Sequence, residues 1–116
     1  MGVTNLGKAA VAALTGAGYT FLAYGTGTTA FSAAQTTLVT QSQIAAATVA
    51  AATTTVANDT AQLTKSFSIS GTEVITEVGI FSAASAGTML CRTVLTASRS
   101  VVSGDTYALS YKVAVA

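Results

Sequence analysis

The chain has 116 residues, of which only 8% are charged, and its formal net charge at pH 7 is +1. This length supports one compact core, so we expect a single domain over residues 1–116. The near-neutral charge argues against nucleic acid as a direct partner, because recognition of a polyanion needs a basic patch.

The chain has many apolar residues, but most of their side chains are small. Hydrophobic residues make up 51% of the chain, yet many are alanines, which bury little area each. A thin core with few surface charges favours burial of further apolar surface against copies of the same chain or a larger partner. Ten glycines, no proline and many Thr and Ser residues favour an all-β domain.

The N-terminal segment predicts one short helix over residues 6–14 (LGKAAVAAL). Asn5 is the expected N-cap and Gly16 the expected end. One face of this helix carries Leu6, Ala10, Ala13 and Leu14. A signal peptide is the competing interpretation because Lys8 precedes an apolar run, but that run is short and rich in alanine.

The next segments predict a strand over residues 19–24 and a flexible turn over 25–29. Gly25 and Gly27 lack the longer glycine pattern of a phosphate-binding loop, so we interpret them as turn residues. Residues 28–39 are expected to form a loop or irregular arm anchored by Phe31 and Leu38.

Residues 41–57 are rich in Ala and Thr and allow more than one interpretation. We predict a long strand that leads into a turn at Asn58 and Asp59. An edge strand or extended arm, and a docking surface of small side chains, both remain open for this segment. The segment is too rich in threonine to span a membrane, and we expect no membrane partner.

The remaining chain alternates apolar and polar residues in the manner of β-strands. Residues 60–70 predict a half-exposed strand, residues 96–105 a loop, and residues 106–115 the final strand. About six strands at this spacing predict an all-β fold, a β-sandwich or jelly-roll-like domain with one short N-terminal helix.

The central element is a predicted hairpin of residues 74–81 and 89–95, with its reversal at residues 82–87. One strand face would carry Val74, Thr76, Val78 and Ile80, and the other Ile75, Glu77, Gly79 and Phe81. If Phe81 lies opposite Thr88, Glu77 lies directly opposite Arg92. In so charge-poor a chain, we interpret these two residues as a structural ion pair.

The chain offers little for catalysis. Its carboxylates are Asp59, Glu73, Glu77 and Asp105, there is no histidine, and the one cysteine is Cys91. Metal sites of the His/Cys type are therefore excluded. Cys91 is expected to be a buried thiol without a histidine base. We expect no enzyme activity, no catalytic residue, no metal and no cofactor.

Several segments carry a family resemblance: residues 24–29 (YGTGTT), 56–62 (VANDTAQ), 75–81 (ITEVGIF), 87–92 (GTMLCR) and 103–106 (SGDT). Together, and in this order, they resemble small structural proteins of tailed bacteriophages, which are capsid cement (decoration) proteins or tail and tail-fibre-associated proteins. The resemblance implies a β-rich virion component that acts by binding.

Within that family the expected function is a capsid cement protein. It would bind the outside of the capsid and stabilise joints between subunits of the major capsid protein, as a homo-oligomer made in the host cytoplasm. The alternative is a tail or tail-fibre adaptor whose partners are tail proteins. Either function depends on buried interface area.

Overall fold

The computed structural model describes residues 3–114, which form one helix and seven strands. The elements, in chain order, are α1 (Asn5–Gly18), β1 (Phe21–Gly25), β2 (Gln41–Ala46), β3 (Thr48–Ala52), β4 (Thr60–Ser68), β5 (Glu73–Phe81), β6 (Met89–Val101) and β7 (Thr106–Ala114). Within this part of the chain, no helix is long and apolar enough to cross a membrane.

The strands form two antiparallel sheets that pack as a sandwich, which confirms the predicted fold class. The four-stranded sheet has the order β2-β1-β5-β6, and the three-stranded sheet has the order β3-β4-β7. Alternate residues of the facing strands fill the space between them. This core contains Leu22, Tyr24, Leu63, Phe67, Ile69, Ile75, Val78, Ile80, Val101 and Leu109.

Helix α1 packs against β3 and β4 of the three-stranded sheet. Its buried residues are Ala12 and Gly16, and a Cβ on Gly16 would lie 2.7 Å from a methyl group of Val49. The small side chains of this face therefore allow close approach of helix and sheet. Thr4, rather than the predicted Asn5, is the N-cap, and its hydroxyl accepts a hydrogen bond from the Gly7 N–H at 3.1 Å.

The helix also extends beyond the predicted end at Gly16. It continues to Gly18, because Gly16 is needed inside the helix, at the contact with β3. The face that carries Leu6, Ala10, Ala13 and Leu14 points to solvent.

The single long strand predicted over residues 41–57 is wrong. The segment forms two strands, β2 and β3, which belong to different sheets. Between them, the Ala47 N–H donates to the Thr20 carbonyl at 2.8 Å. The chain thus crosses from one sheet to the other, and the composition of Ala and Thr carries no signal for such a crossing. Residues 53–59 connect β3 to β4. The predicted turn lies at Asn58, which has a φ of 59°.

Two further predictions need correction in the second half of the chain. Strand β6 continues to Val101 through most of the predicted loop over residues 96–105. Ile75 joins Val78 and Ile80 in the core, because a register shift between Ile75 and Glu77 turns it to the inner face. Strand β7 is described to Ala114, and the predicted end at Val115 lies outside the described residues.

Candidate functional site

The connection between β1 and β2, residues 26–40, lies over the outer face of the four-stranded sheet, and we call it the β1–β2 loop. Adjacent antiparallel strands need only a short turn, so this loop is far longer than the sheet requires. Leu38 is buried near its end and packs with Ala23 and Phe81. A Cβ on Gly79 would lie 2.9 Å from a Leu38 methyl group, so the glycine leaves room for this contact.

Beneath this loop lies the carboxylate of Glu77, which is fully buried. One oxygen accepts hydrogen bonds from the N–H groups of Gly27 at 2.9 Å and Thr40 at 2.8 Å. The other accepts from the Val39 N–H at 2.9 Å and the Arg92 Nε at 2.7 Å. One side chain of β5 therefore holds both ends of the loop.

Arg92 extends the same network into the middle of the loop. Its Nη2 donates to the Thr29 carbonyl at 2.9 Å, and its Nη1 donates to the Gln35 Oε1 at 3.3 Å. The same Gln35 oxygen accepts from the Ser32 N–H at 3.1 Å. The pair of Glu77 and Arg92 is thus a clamp, with its side chains at 0% relative exposure, for the whole β1–β2 loop.

The hairpin register differs from the prediction by two residues. Arg92 lies opposite Gly79, and Glu77 lies opposite Val94. Because the offset is even, both side chains still lie on the outer face of the sheet, and the long arginine spans the diagonal. One residue of this offset arises at the turn, where Phe81 pairs with Met89 and not with Thr88. The second arises because Ile80 pairs with Cys91, which leaves Leu90 as an additional residue on β6.

Sequence reasoning missed the role of Gly25 and Gly27 in this clamp. A Cβ on Gly27 would lie 2.5 Å from a Glu77 oxygen, and a Cβ on Gly25 would overlap the Thr40 carbonyl oxygen. Only glycine lets the backbone approach the carboxylate this closely. The spacing Gly25-x-Gly27 was the available signal, and it marks carboxylate contact in addition to a turn.

The clamp holds Glu77 in its ionised form. Burial by itself would raise the pKa of Glu77, but the Thr40 N–H, the Arg92 guanidinium and the other two N–H groups outweigh it and lower the pKa below the ordinary 4.5. A carboxylate with a depressed pKa in the folded state stabilises the fold above its unfolded pKa. That stabilisation is lost as the pH falls through the folded pKa.

We therefore expect acid to destabilise the protein through Glu77. The contribution of Glu77 to the free energy of unfolding should not change with pH above about pH 5, and it should decline as the pH falls below about 4.5. Urea unfolding followed by circular dichroism between pH 3 and pH 7 measures the decline. The variant Glu77→Gln should lose part of this pH dependence, and an unchanged slope in Glu77→Gln would contradict the assignment.

The other carboxylates lie apart from the clamp in structural roles. Asp59 caps the turn before β4, because its oxygens accept from the N–H groups of Thr54, Thr55 and Val56 and from the Thr60 hydroxyl. These bonds, led by that from Thr54, hold the pKa of Asp59 well below its ordinary value. Glu73 accepts from the hydroxyls of Ser42 and Tyr24, and Asp105 accepts from the Val102 N–H at 2.9 Å.

Cys91 is half-buried, and burial raises the pKa of its thiol. Across residues 3–114, the buried side-chain nitrogen and oxygen atoms all have a hydrogen-bond partner. In that same part of the chain, no three His, Cys, Asp or Glu side chains meet in a group that could hold a metal ion. The chemistry of the clamp is therefore that of a satisfied structural network.

The middle of the clamped loop presents an exposed aromatic side chain. Phe31, predicted as an anchor, is 58% exposed, whereas Leu38 is buried as predicted. The neighbouring residues 28–34 are exposed and carry no charge. A loop fixed at both ends and in its middle loses little conformational entropy on binding. The β1–β2 loop is accordingly the candidate binding surface of this face.

Comparison with known proteins gives one family. The family model described as Gp80, podophage GP4 fiber I protein gp80, matches residues 3–113. No curated protein and no solved structure matches the chain. The family match covers nearly all of the chain, including the whole clamp.

Proposed function

Because the chain belongs to the family of the podophage GP4 fiber I protein gp80, and is thus a tailed-phage structural protein, we propose that it is a component of the tail fibre. The match over residues 3–113 is the observation that carries this proposal. The protein acts by binding and not by catalysis. Its partners are other tail proteins and further copies of itself.

The structure supplies surfaces suited to this function. The clamped β1–β2 loop offers the exposed aromatic ring of Phe31 on a rigid support. Aromatic anchors that enter a pocket of a partner contribute strongly to binding, and their effect is larger when the free loop is already ordered. We propose that this loop contacts a neighbouring tail protein.

The expected function as capsid cement finds no support in the family match, which names a fiber protein. Binding to the major capsid protein and a place on the capsid surface rest on the resemblance in the sequence alone. The alternative from the sequence, a tail or tail-fibre structural protein, agrees better with the family.

Labelling of intact virions distinguishes these locations. An epitope tag inserted after Gly71, which lies between β4 and β5 with open space beside it, should leave the loop and α1 unchanged. We expect gold-conjugated antibody to decorate tail fibres in negative-stain electron micrographs. Virions without the tag provide the control, and label spread over the capsid shell would contradict the proposal in favour of cement.

A further inference from the structure

The outward face of α1 is apolar and uncovered. Leu6 is 85% exposed and Leu14 is 73% exposed, and Val11 is 46% exposed. At 3.6 residues per turn, the arc from Ala13 through Ala10 to Val11 spans roughly 160° without a polar side chain. Its residues are Leu6, Gly7, Ala10, Val11, Ala13, Leu14, Ala17 and Gly18.

This arrangement is the reverse of an ordinary surface helix. A surface helix turns its large apolar residues toward the core and its polar residues toward water. In α1 the buried residues are the small Ala12 and Gly16, while the polar Asn5, Lys8 and Thr15 lie outside the apolar arc. The large apolar side chains are thus positioned for burial against something other than this domain.

The surface of the whole chain supports the same conclusion. Its accessible area is 6416 Å², against roughly 5800 Å² expected for a compact monomer of 11.5 kDa. Its radius of gyration is 14.7 Å, against roughly 13.4 Å for a compact chain of this length. The isolated chain therefore leaves more surface uncovered than a self-sufficient domain does.

The order of these residues fits a second copy of the same chain as the partner. Leu6 and Leu14 each lie four positions from Ala10, and Gly7 and Ala13 each lie three positions from it. In an antiparallel pair with its two-fold axis at Ala10, Leu6 of one copy would meet Leu14 of the other. Gly7 of one copy would likewise lie beside Ala13 of the other, close to the axis. A face that complements itself under a two-fold axis is what an isologous interface requires.

The absence of charge on this face of α1 also permits the pairing. The arc carries no ionised side chain, so two identical faces meet without repulsion between like charges. We propose that α1 is a self-association surface, through which two copies of the chain pair antiparallel about Ala10. The inference rests on the proposed function in the tail fibre, but the two are tested separately. Virion labelling locates the protein whether or not two isolated chains form a dimer.

Sedimentation of the purified chain is the first test. We expect a dimer that dissociates on dilution through the micromolar range, because one helix of about 21 Å gives only a small interface. Leu14→Glu places an unpaired charge at both ends of the pair and should raise the dissociation constant by at least about 100-fold. Val102→Glu, the same kind of change at an exposed site in a turn, should leave the dissociation constant unchanged.

Disulfide cross-linking tests the geometry. In a Cys91→Ser background, oxidised Ala10→Cys should form covalent dimers faster than Ala97→Cys, which lies on β6. A mixture of Leu6→Cys and Leu14→Cys chains should cross-link faster than either variant alone, as an antiparallel pair requires. A monomer at 100 µM, equal effects of Leu14→Glu and Val102→Glu, or faster cross-linking of the unmixed variants would overturn the proposal.

Discussion

Arg92→Ala should destabilise the protein by about 3–5 kcal/mol, because it leaves the Glu77 carboxylate buried without its cation. It also removes the donors to Thr29 and Gln35 in the middle of the β1–β2 loop. Urea unfolding at one fixed protein concentration measures the loss, since any self-association makes stability depend on concentration.

Arg99→Ala is the matched control for this change. Arg99 lies on the same strand and is exposed, so its removal should change the free energy of unfolding by less than about 0.5 kcal/mol. The double variant Glu77→Gln with Arg92→Met should cost less than the sum of its two single changes, as expected for groups in direct contact. Equal losses for Arg92→Ala and Arg99→Ala would show that the clamp does not stabilise the fold.

Gly25→Ala should cost about 2–3 kcal/mol, even though it adds a single methyl group. The new Cβ would overlap the Thr40 carbonyl and lie 2.7 Å from a Glu77 oxygen. The loop end and the carboxylate must then separate, which weakens the hydrogen bond from the Thr40 N–H.

Gly71→Ala is the control for Gly25→Ala, because a Cβ on Gly71 meets no atom within 4 Å. Its effect on the free energy of unfolding should be within about 0.5 kcal/mol. A Gly25→Ala protein as stable as Gly71→Ala would contradict the close approach of backbone and carboxylate.

The clamp could be predicted only in part from the sequence. The scarcity of charged residues indicated that Glu77 and Arg92 form a pair. The observed register differs from the predicted one by two residues, and because this number is even, both side chains remain on the same face of the sheet. Three of the four donors to Glu77 are backbone N–H groups. Backbone donors have the same chemistry in every residue except proline, so their positions could not be predicted from residue types.

The fold, like the clamp, could be predicted only in part from the sequence. Strands β4 and β7 alternate cleanly, and both begin at the predicted residue, although β4 ends at Ser68, two residues before the predicted end. Strands β2 and β3 consist of small residues that fit either sheet, so their separation depends on tertiary contacts such as that between Ala47 and Thr20. The exposure of Leu6 and Leu14 could not be predicted from the sequence either, because helical periodicity identifies an apolar face but not what covers it.

Amide hydrogen exchange at Gly27, Val39 and Thr40 tests the clamp most directly. These three N–H groups donate to the buried Glu77 carboxylate, so we expect protection comparable to that of the central strand β5, although they lie in a loop. In Arg92→Ala their protection should fall while that of β4 is retained. Exchange at these amides as fast as at the exposed Ala33 in the wild-type protein would contradict the account.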